Sequence, residues 1–210
     1  MSQTLVVSYT PRIGSYTKQL VDQFIDSAKN KTKIKHFDLV ETPPDLLLRE
    51  NLNLMMEWNE GKRDFSKKEM AILFNHHVLI EEVLIADHIV LAFPIYNFTM
   101  PAAVKAWIDA IVVSEKTFSF TPESGFKGLC KNKKALSIIV AGFDYNSSED
   151  YKEFASSTIK QNFDFIGVPS EQISAFGVNE NKEHVDSILN QAKVELKTTI
   201  SNWFGTECLD

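Results

Sequence analysis

Five short stretches of this chain read as strands, and helix-length segments separate them. Thr4 to Ser8 (TLVVS), Ile89 to Phe93 (IVLAF) and Ala135 to Ala141 (ALSIIVA) are continuous apolar runs, as strands covered on both faces require. Lys33 to Leu39 (KIKHFDL) alternates apolar with polar and belongs nearer an edge. Ile173 to Val178 is the last of the five. Between them, Leu20, Val21, Phe24, Ile25 and Ala28 recur at helical spacing after Ser15. Ser66 with Glu69 three residues on forms a capping box, opening a second helix that ends at Ala86-Asp87. Pro101 opens a strongly apolar third helix. The fourth runs from Asp150 to Ile166, closed by Gly167 in the C′ position with Pro169 beyond it. Lys182 to Phe204 is the last, followed by a frayed tail. Consecutive strands joined through helices lie parallel with right-handed crossovers. The expected fold is therefore α/β: a doubly wound five-stranded parallel sheet with helices on both faces. Both common doubly wound orders are candidates, and five strands fit 2-1-3-4-5 better than a six-stranded sheet.

At 210 residues the chain suits one domain, 1–210. Two segments depart from the alternation. Residues 40–65, with Pro43-Pro44 and later Met55, Met56 and Trp58, read as a surface excursion containing short helical turns. Residues 115–134 read as a long connection, with Phe118 and Phe120 alternating before Gly125 and Gly128. A net charge of -6 excludes a general nucleic-acid binder, which needs a basic face. No apolar run is long enough to span a bilayer, and the N-terminus lacks a basic segment ahead of its apolar stretch. The cytoplasm is the expected location, with no membrane partner. Two cysteines, Cys130 and Cys208, make neither a disulfide framework nor a metal cluster. Adjacent His76 and His77 diverge on a helix, so no metal pair is expected.

The stretch from Ile89 to Val113 carries the chemistry. Its apolar strand meets Pro94, passes through Ile95, Tyr96, Asn97 and Phe98, and reaches a second proline at Pro101. Pro94 ends the strand by removing a backbone donor, and Pro101 suits a helix's first turn. The loop is pinned at both ends, at the carboxyl end of a central strand, where open α/β sheets bind ligands. Its aromatics also suit a loop that merely covers the core edge.

A second loop follows the first strand. Thr10, Ser15 and Thr17 place three hydroxyls around a helix N-terminus, and Arg12 adds a positive charge, a set that favours an anion. The loop has neither G-x-G-x-x-G nor G-x-x-x-x-G-K-[ST], so hydroxyls take the place of glycines and suit one terminal phosphate. The plainer reading is that Ser15 or Thr17 only caps the helix. In the 2-1-3-4-5 order strands one and three are neighbours. The cup then lies beside Pro94 to Phe98, and the loop from Ala141 to Tyr145 closes a third side. A ligand with a phosphate at one end and a flat ring at the other, such as FMN, fits across them. The first loop also lacks the cysteine that low-molecular-weight phosphatases of similar sheet need there, and Cys130 lies in GLCKNKK, outside any strand-to-helix anion loop.

The segment FPIYNFTMPAAVKAWIDAI resembles the P-M-Y-N-F…P-x-x-L-K-x-[WY]-I/F-D segment of the FMN-dependent NAD(P)H azoreductase and quinone reductase family, which is flavodoxin-like. Pro94, Tyr96, Asn97, Phe98, Pro101, Lys105, Trp107 and Asp109 carry the likeness, which extends through most of the chain from about Ser66 onward and into the first βα unit. It implies tightly bound FMN, with phosphate contacts from Thr10, Ser15 and Thr17 and with Arg12 and Tyr16 beside them. Pro94 and Ile95 to Phe98 line the ring. The loop Val140 to Phe143 stands where the family carries S-R-G-G, keeping only Gly142, and Val140, Gly142 and Phe143 join the cofactor site. Phe120, Tyr145 and Phe163 are placed in the substrate pocket, Phe120 where many relatives have tyrosine. The resemblance further implies a homodimer with active sites at the subunit boundary, and the apolar helix around Trp107 is the element expected there.

The expected function is two-electron transfer from NAD(P)H to a quinone or azo compound by a ping-pong scheme, with the flavin doing the chemistry and no catalytic side chain or metal. The alternative is a flavodoxin-like electron carrier, or a flavin-binding regulatory protein without its own acceptor. Against a carrier stands the mild balance of 22 basic and 28 acidic residues, since docking carriers favour a strongly acidic face.

Overall fold

The computed structural model describes residues 1–180 and 183–205. In chain order the elements are β1 (Gln3–Ser8), α1 (Tyr16–Ala28), β2 (Lys33–Asp38), α2 (Arg49–Asn59), α3 (Lys67–Ile85), β3 (His88–Pro94) and α4 (Ala102–Ile111). Then follow β4 (Phe118–Thr121), β5 (Gly125–Gly128), β6 (Lys134–Ala141), α5 (Ala155–Ile166), β7 (Ser170–Phe176) and α6 (Val185–Phe204). Five strands form one sheet in the order β2-β1-β3-β6-β7, all pairs parallel. Counting only its members, this is the expected 2-1-3-4-5.

The continuous apolar runs are explained by where alternate side chains go. Ile89, Leu91 and Phe93 join one core cluster, with Val83 of α3, Trp107 and Ile111 of α4, and Ile159 and Phe163 of α5. Val90 and Ala92 join a second, with Leu20 and Phe24 of α1 and Leu189, Leu196 and Ile200 of α6. A strand whose odd and even residues are both buried has no room for polar alternation.

Several boundaries differ from the sequence reading, each for a physical reason. The 115–134 connection contains an antiparallel hairpin, β4 against β5, whose strands are only four residues long. Its Gly128 lies against the backbone of Ile166 and Gly167 at the end of α5, where an added Cβ would come within 2.2 Å of the Gly167 nitrogen. The hairpin thus docks through bare backbone. In the 40–65 excursion α2 is a full 11-residue helix, because Leu54, Met55 and Trp58 pack with Leu73 and Ile80 of α3 and Val113. The helix expected from Asp150 begins at Ala155, since the Phe154 N–H is drawn to the Phe98 carbonyl at 2.8 Å. β7 starts at Ser170 rather than Ile173, an edge strand whose first residues are polar and partly exposed. α6 starts at Val185; the expected start at Lys182 and the tail beyond Gly205, with Cys208, lie outside the described residues.

The capping box of α3 is present, with the Ser66 hydroxyl accepting from the Glu69 N–H and the Glu69 carboxylate accepting from the Ser66 N–H. Gly167 closes α5 in the left-handed conformation, φ 87°. Among the described residues no helix is long and apolar enough to cross a membrane.

The Trp107 side chain is fully buried within its own protomer, while Ala102 and Lys105 of the same helix are exposed. The apolar character of α4 is spent on its own core, where truncating such a ring removes on the order of 3–5 kcal/mol.

Candidate functional site

The carboxyl ends of β1, β3, β6 and β7 converge on one crevice, the place where open α/β sheets bind ligands. The loop after β1 contributes Arg12, Ser15, Tyr16 and Thr17; the segment after β3 contributes Pro94, Ile95 and Tyr96; β6 and its loop contribute Val140 and Gly142. The three loops singled out from the sequence therefore share one hollow. Two residues missed by the sequence reading, Val178 and Asn179, close it from the fourth side.

At one end stands the N-terminus of α1. Ser15 is its N-cap, its Oγ accepting from the Lys18 N–H at 3.2 Å. The capping reading of Ser15 is correct, and it leaves the hydroxyl proton available to a ligand. The N–H groups of Tyr16 and Thr17 have no acceptor among the described residues, as expected for a first turn. No acidic residue lies in that turn. Ser15 and Thr17 are buried, and the exposed Arg12 guanidinium lies 5.8 Å from the Tyr16 ring centre. Unbonded N–H groups, hydroxyls, a cation and the positive end of the helix dipole all favour an anion here. Thr10 is half-buried in the same loop but does not line the crevice.

At the other end the chain turns back on itself. The Ile95 N–H bonds to the Val140 carbonyl at 2.8 Å, extending the β3–β6 pairing by one residue. Tyr96 and Thr99 then exchange both backbone hydrogen bonds, at 2.9 and 3.1 Å. Asn97 and Phe98 between them have φ 48° and 69°. Two central residues at positive φ mark a type I′ turn, a conformation that asparagine tolerates and phenylalanine does not favour. The N–H groups of Asn97 and Phe98 have no acceptor among the described residues. The turn holds two open peptide donors in a fixed frame, at the expense of backbone strain of the kind found at ligand sites.

The remaining predicted residues are distributed around this turn. Asn97 and Phe98 are exposed at its tip. Phe98 packs against Tyr151 (6.1 Å) and Tyr145 (6.3 Å), and Phe143 packs against Tyr145 at 5.0 Å. These rings form an aromatic bank beside the crevice. Burial raises the Tyr145 hydroxyl above the ordinary tyrosine range, with Glu153 adding to it. Burial likewise raises Tyr96, with Tyr9 adding to it and Arg12 opposing. Phe120 lies on the hairpin, half exposed and 4.8 Å from Phe126. Phe163 is fully buried in the first core cluster; it faces inward from α5 and is a packing residue, not a wall of the crevice. Among the described residues no group of His, Cys, Asp and Glu could hold a metal.

A profile of the flavodoxin-like fold matches residues 2–200. The chain is 32% identical over 202 residues to the FMN-dependent NADH:quinone oxidoreductase 2 of Pseudomonas putida, covering 93% of this chain and 98% of that one. It is 36% identical over 160 residues to the FMN-dependent NADH:quinone oxidoreductase 1 of Colwellia psychrerythraea, covering 75% and 79%. Among solved structures, an azoreductase from Bacillus anthracis superposes with a TM-score of 0.87 at 23% identity, over 96% of this chain and all of that one. An FMN-dependent NADH-azoreductase from the same organism, in complex with FMN, superposes with 0.85 at 20% identity, over 97% of this chain and 100% of that one. With its sheet order, its crevice and these likenesses, the chain belongs to the flavodoxin-like family of FMN-dependent NADH:quinone oxidoreductases.

Proposed function

We propose that the crevice holds FMN and that the protein passes two electrons from NADH or NADPH to a quinone or azo acceptor. The carrying observation is that one hollow joins an anion cup to a turn with two open peptide donors. The donor set fits the cofactor. Tyr16 and Thr17 N–H groups with the Ser15 and Thr17 hydroxyls and Arg12 would hold its phosphate. Pro94, Ile95, Tyr96, Val140, Gly142 and Phe143 would flank its ring, and the Asn97 and Phe98 N–H groups would face the ring's polar edge. When bound, FMN supplies the hydride chemistry between nicotinamide and acceptor. This chain's residues bind and orient it, and the preorganised donors at 97 and 98 favour negative charge on the neighbouring ring. No side-chain acid, base or metal is required.

The aromatic bank of Phe98, Phe143, Tyr145 and Tyr151 suits a flat electron acceptor, because offset and edge-on ring contacts favour planar partners. Reductant and acceptor would use the same open side in turn, which makes the kinetics ping-pong. We further propose a homodimer of one-domain protomers in the cytoplasm, each a doubly wound sheet with helices over both faces. The exposed Phe120 and Phe126 offer apolar area to a second copy.

The test is to load the apoprotein with FMN and follow oxidation of NADH and NADPH with menadione and methyl red. The expected outcome is turnover with parallel double-reciprocal lines. Intersecting lines would rule out the alternating scheme, and an apoprotein that does not take up FMN would overturn the whole reading.

A further inference from the structure

The fourth wall of the crevice comes from the connection between β7 and α6, and it is held by main-chain bonds. Gly177 N–H donates to the Phe143 carbonyl (3.1 Å), Val178 N–H to the Ala141 carbonyl (3.2 Å) and Asn179 N–H to the Gly142 carbonyl (3.0 Å). These bonds continue the β6–β7 pairing past its last paired residues, Ala141 and Phe176. Asn179 is thereby fixed over Gly142. An added Cβ at Gly142 would stand 2.4 Å from the Asn179 Nδ2 and 3.0 Å from its Cγ. The missing side chain at 142 is what gives the carboxamide its seat.

The Asn179 side chain makes no hydrogen bond to any described residue, yet a carboxamide carries two donor protons and an acceptor oxygen. It borders the crevice together with Ser15, Thr17 and Gly142. It also borders a shallower groove that continues past Arg12, Tyr16 and Gln19 between α1 and α6. Asn179 therefore stands toward the anion end of the crevice and not beside the Asn97-Phe98 turn. Between an anion cup and a ring shelf, FMN has its ribityl chain, a row of hydroxyls that both donate and accept. A carboxamide matches that character better than it matches a phosphate, which only accepts.

We propose that Asn179 is a further cofactor-binding residue, whose carboxamide hydrogen-bonds the ribityl hydroxyls of the flavin. The proposal rests on the FMN reading above. It assigns a polar contact to the wall where the resemblance had left only Gly142 of S-R-G-G.

The experiment measures binding of FMN, riboflavin and lumiflavin to the apoprotein by fluorescence titration, for the parent and for Asn179→Ala. The backbone bond of residue 179 survives the substitution and the side chain is exposed, so an unchanged apoprotein melting curve is expected. Loss of one or two hydrogen bonds weakens binding by about fivefold to tenfold. That factor should be the same for FMN and for riboflavin, which keeps the ribityl chain without the phosphate. Lumiflavin, a ring without the hydroxylated chain, should bind parent and variant alike. Unchanged FMN affinity, a loss confined to FMN, or an equal loss with lumiflavin would each overturn the assignment. Should Asn179→Ala melt lower, Asn179→Ser is read the same way. A parent that binds none of the three flavins would instead sink the FMN reading itself.

Discussion

Gly128→Ala is the substitution whose effect can be worked out most directly. The new Cβ would lie 2.2 Å from the Gly167 nitrogen, 2.4 Å from the Ile166 carbonyl carbon and 2.5 Å from the Gly167 Cα. All three are backbone atoms that no rotamer change can move. Ordinary contact would require the hairpin to withdraw from α5 by about 1 Å. Overpacking of this kind costs about 1–3 kcal/mol. The retreat would also break the bond from the Cys130 N–H to the Ile166 carbonyl, now 2.9 Å, which adds about 1 kcal/mol. The total is about 2–4 kcal/mol, a melting-point drop of about 4–16 °C at this chain length. Gly167→Ala is the control. Its nearest neighbours are 3.1–3.3 Å away, though its φ of +87° disfavours any side chain, so it should cost only about 1–2 kcal/mol. Urea denaturation of the two apoprotein variants decides the matter. If Gly128→Ala lies within 1 kcal/mol of the parent, or is milder than Gly167→Ala, the docking of the hairpin through bare backbone is wrong.

Four further outcomes are expected. Phe98→Gly should be more stable than Phe98→Ala by about 1 kcal/mol in urea titration, although it is the smaller residue, because φ at 98 is positive; equal stability would remove the strain at the turn. Gly142→Ala should push the Asn179 carboxamide out of its seat, so its effect on FMN affinity and that of Asn179→Ala should not add when combined; simple additivity would show that the two residues act apart. Burial lowers the His36, His76 and His88 imidazoles below their usual 6.5, which makes the unfolded chain the better proton binder. Stability should then be full above about pH 6.5, fall as pH drops toward the lowered folded values, and level off below them. His76→Leu should flatten part of that slope in urea midpoints taken from pH 8 to pH 5, and a profile rising toward acid would contradict it. Burial also pushes the Cys130 thiol up to about 11, so peptide mapping after iodoacetamide at pH 8 should find it unmodified in the native protein and alkylated once unfolded.

What could be read from the sequence was local or patterned. Three unbroken apolar runs marked the buried strands, the count of five strands alternating with helices favoured the order 2-1-3-4-5, and the capping box followed from the spacing of Ser66 and Glu69. The cup around α1 and the turn after β3 were visible as residue types flanking strand ends. What could not be read depends on contacts distant in sequence. Phe118 and Phe120 alternate as a strand should, but nothing nearby says that Gly128 will meet Gly167. Tyr151 and Phe154 extend an apparent helix until the Phe98 carbonyl captures a backbone donor from it. Trp107 looks equally apolar whether its own core or another subunit covers it. Asn179 carries no local signal; only the adjacency of β6 and β7 brings it to the crevice.

The rim of the crevice is laced together by main-chain bonds: Tyr9 to Ala92, Ile95 to Val140, Val178 to Ala141 and Asn179 to Gly142. Peptide groups make these stitches whatever side chains hang from them. The outline of the hollow is thus insulated from changes in its lining, and side chains there are free to drift while the frame keeps its measure. A lineage built this way can retune which electron acceptor it prefers through single substitutions, without first having to rebuild the vessel.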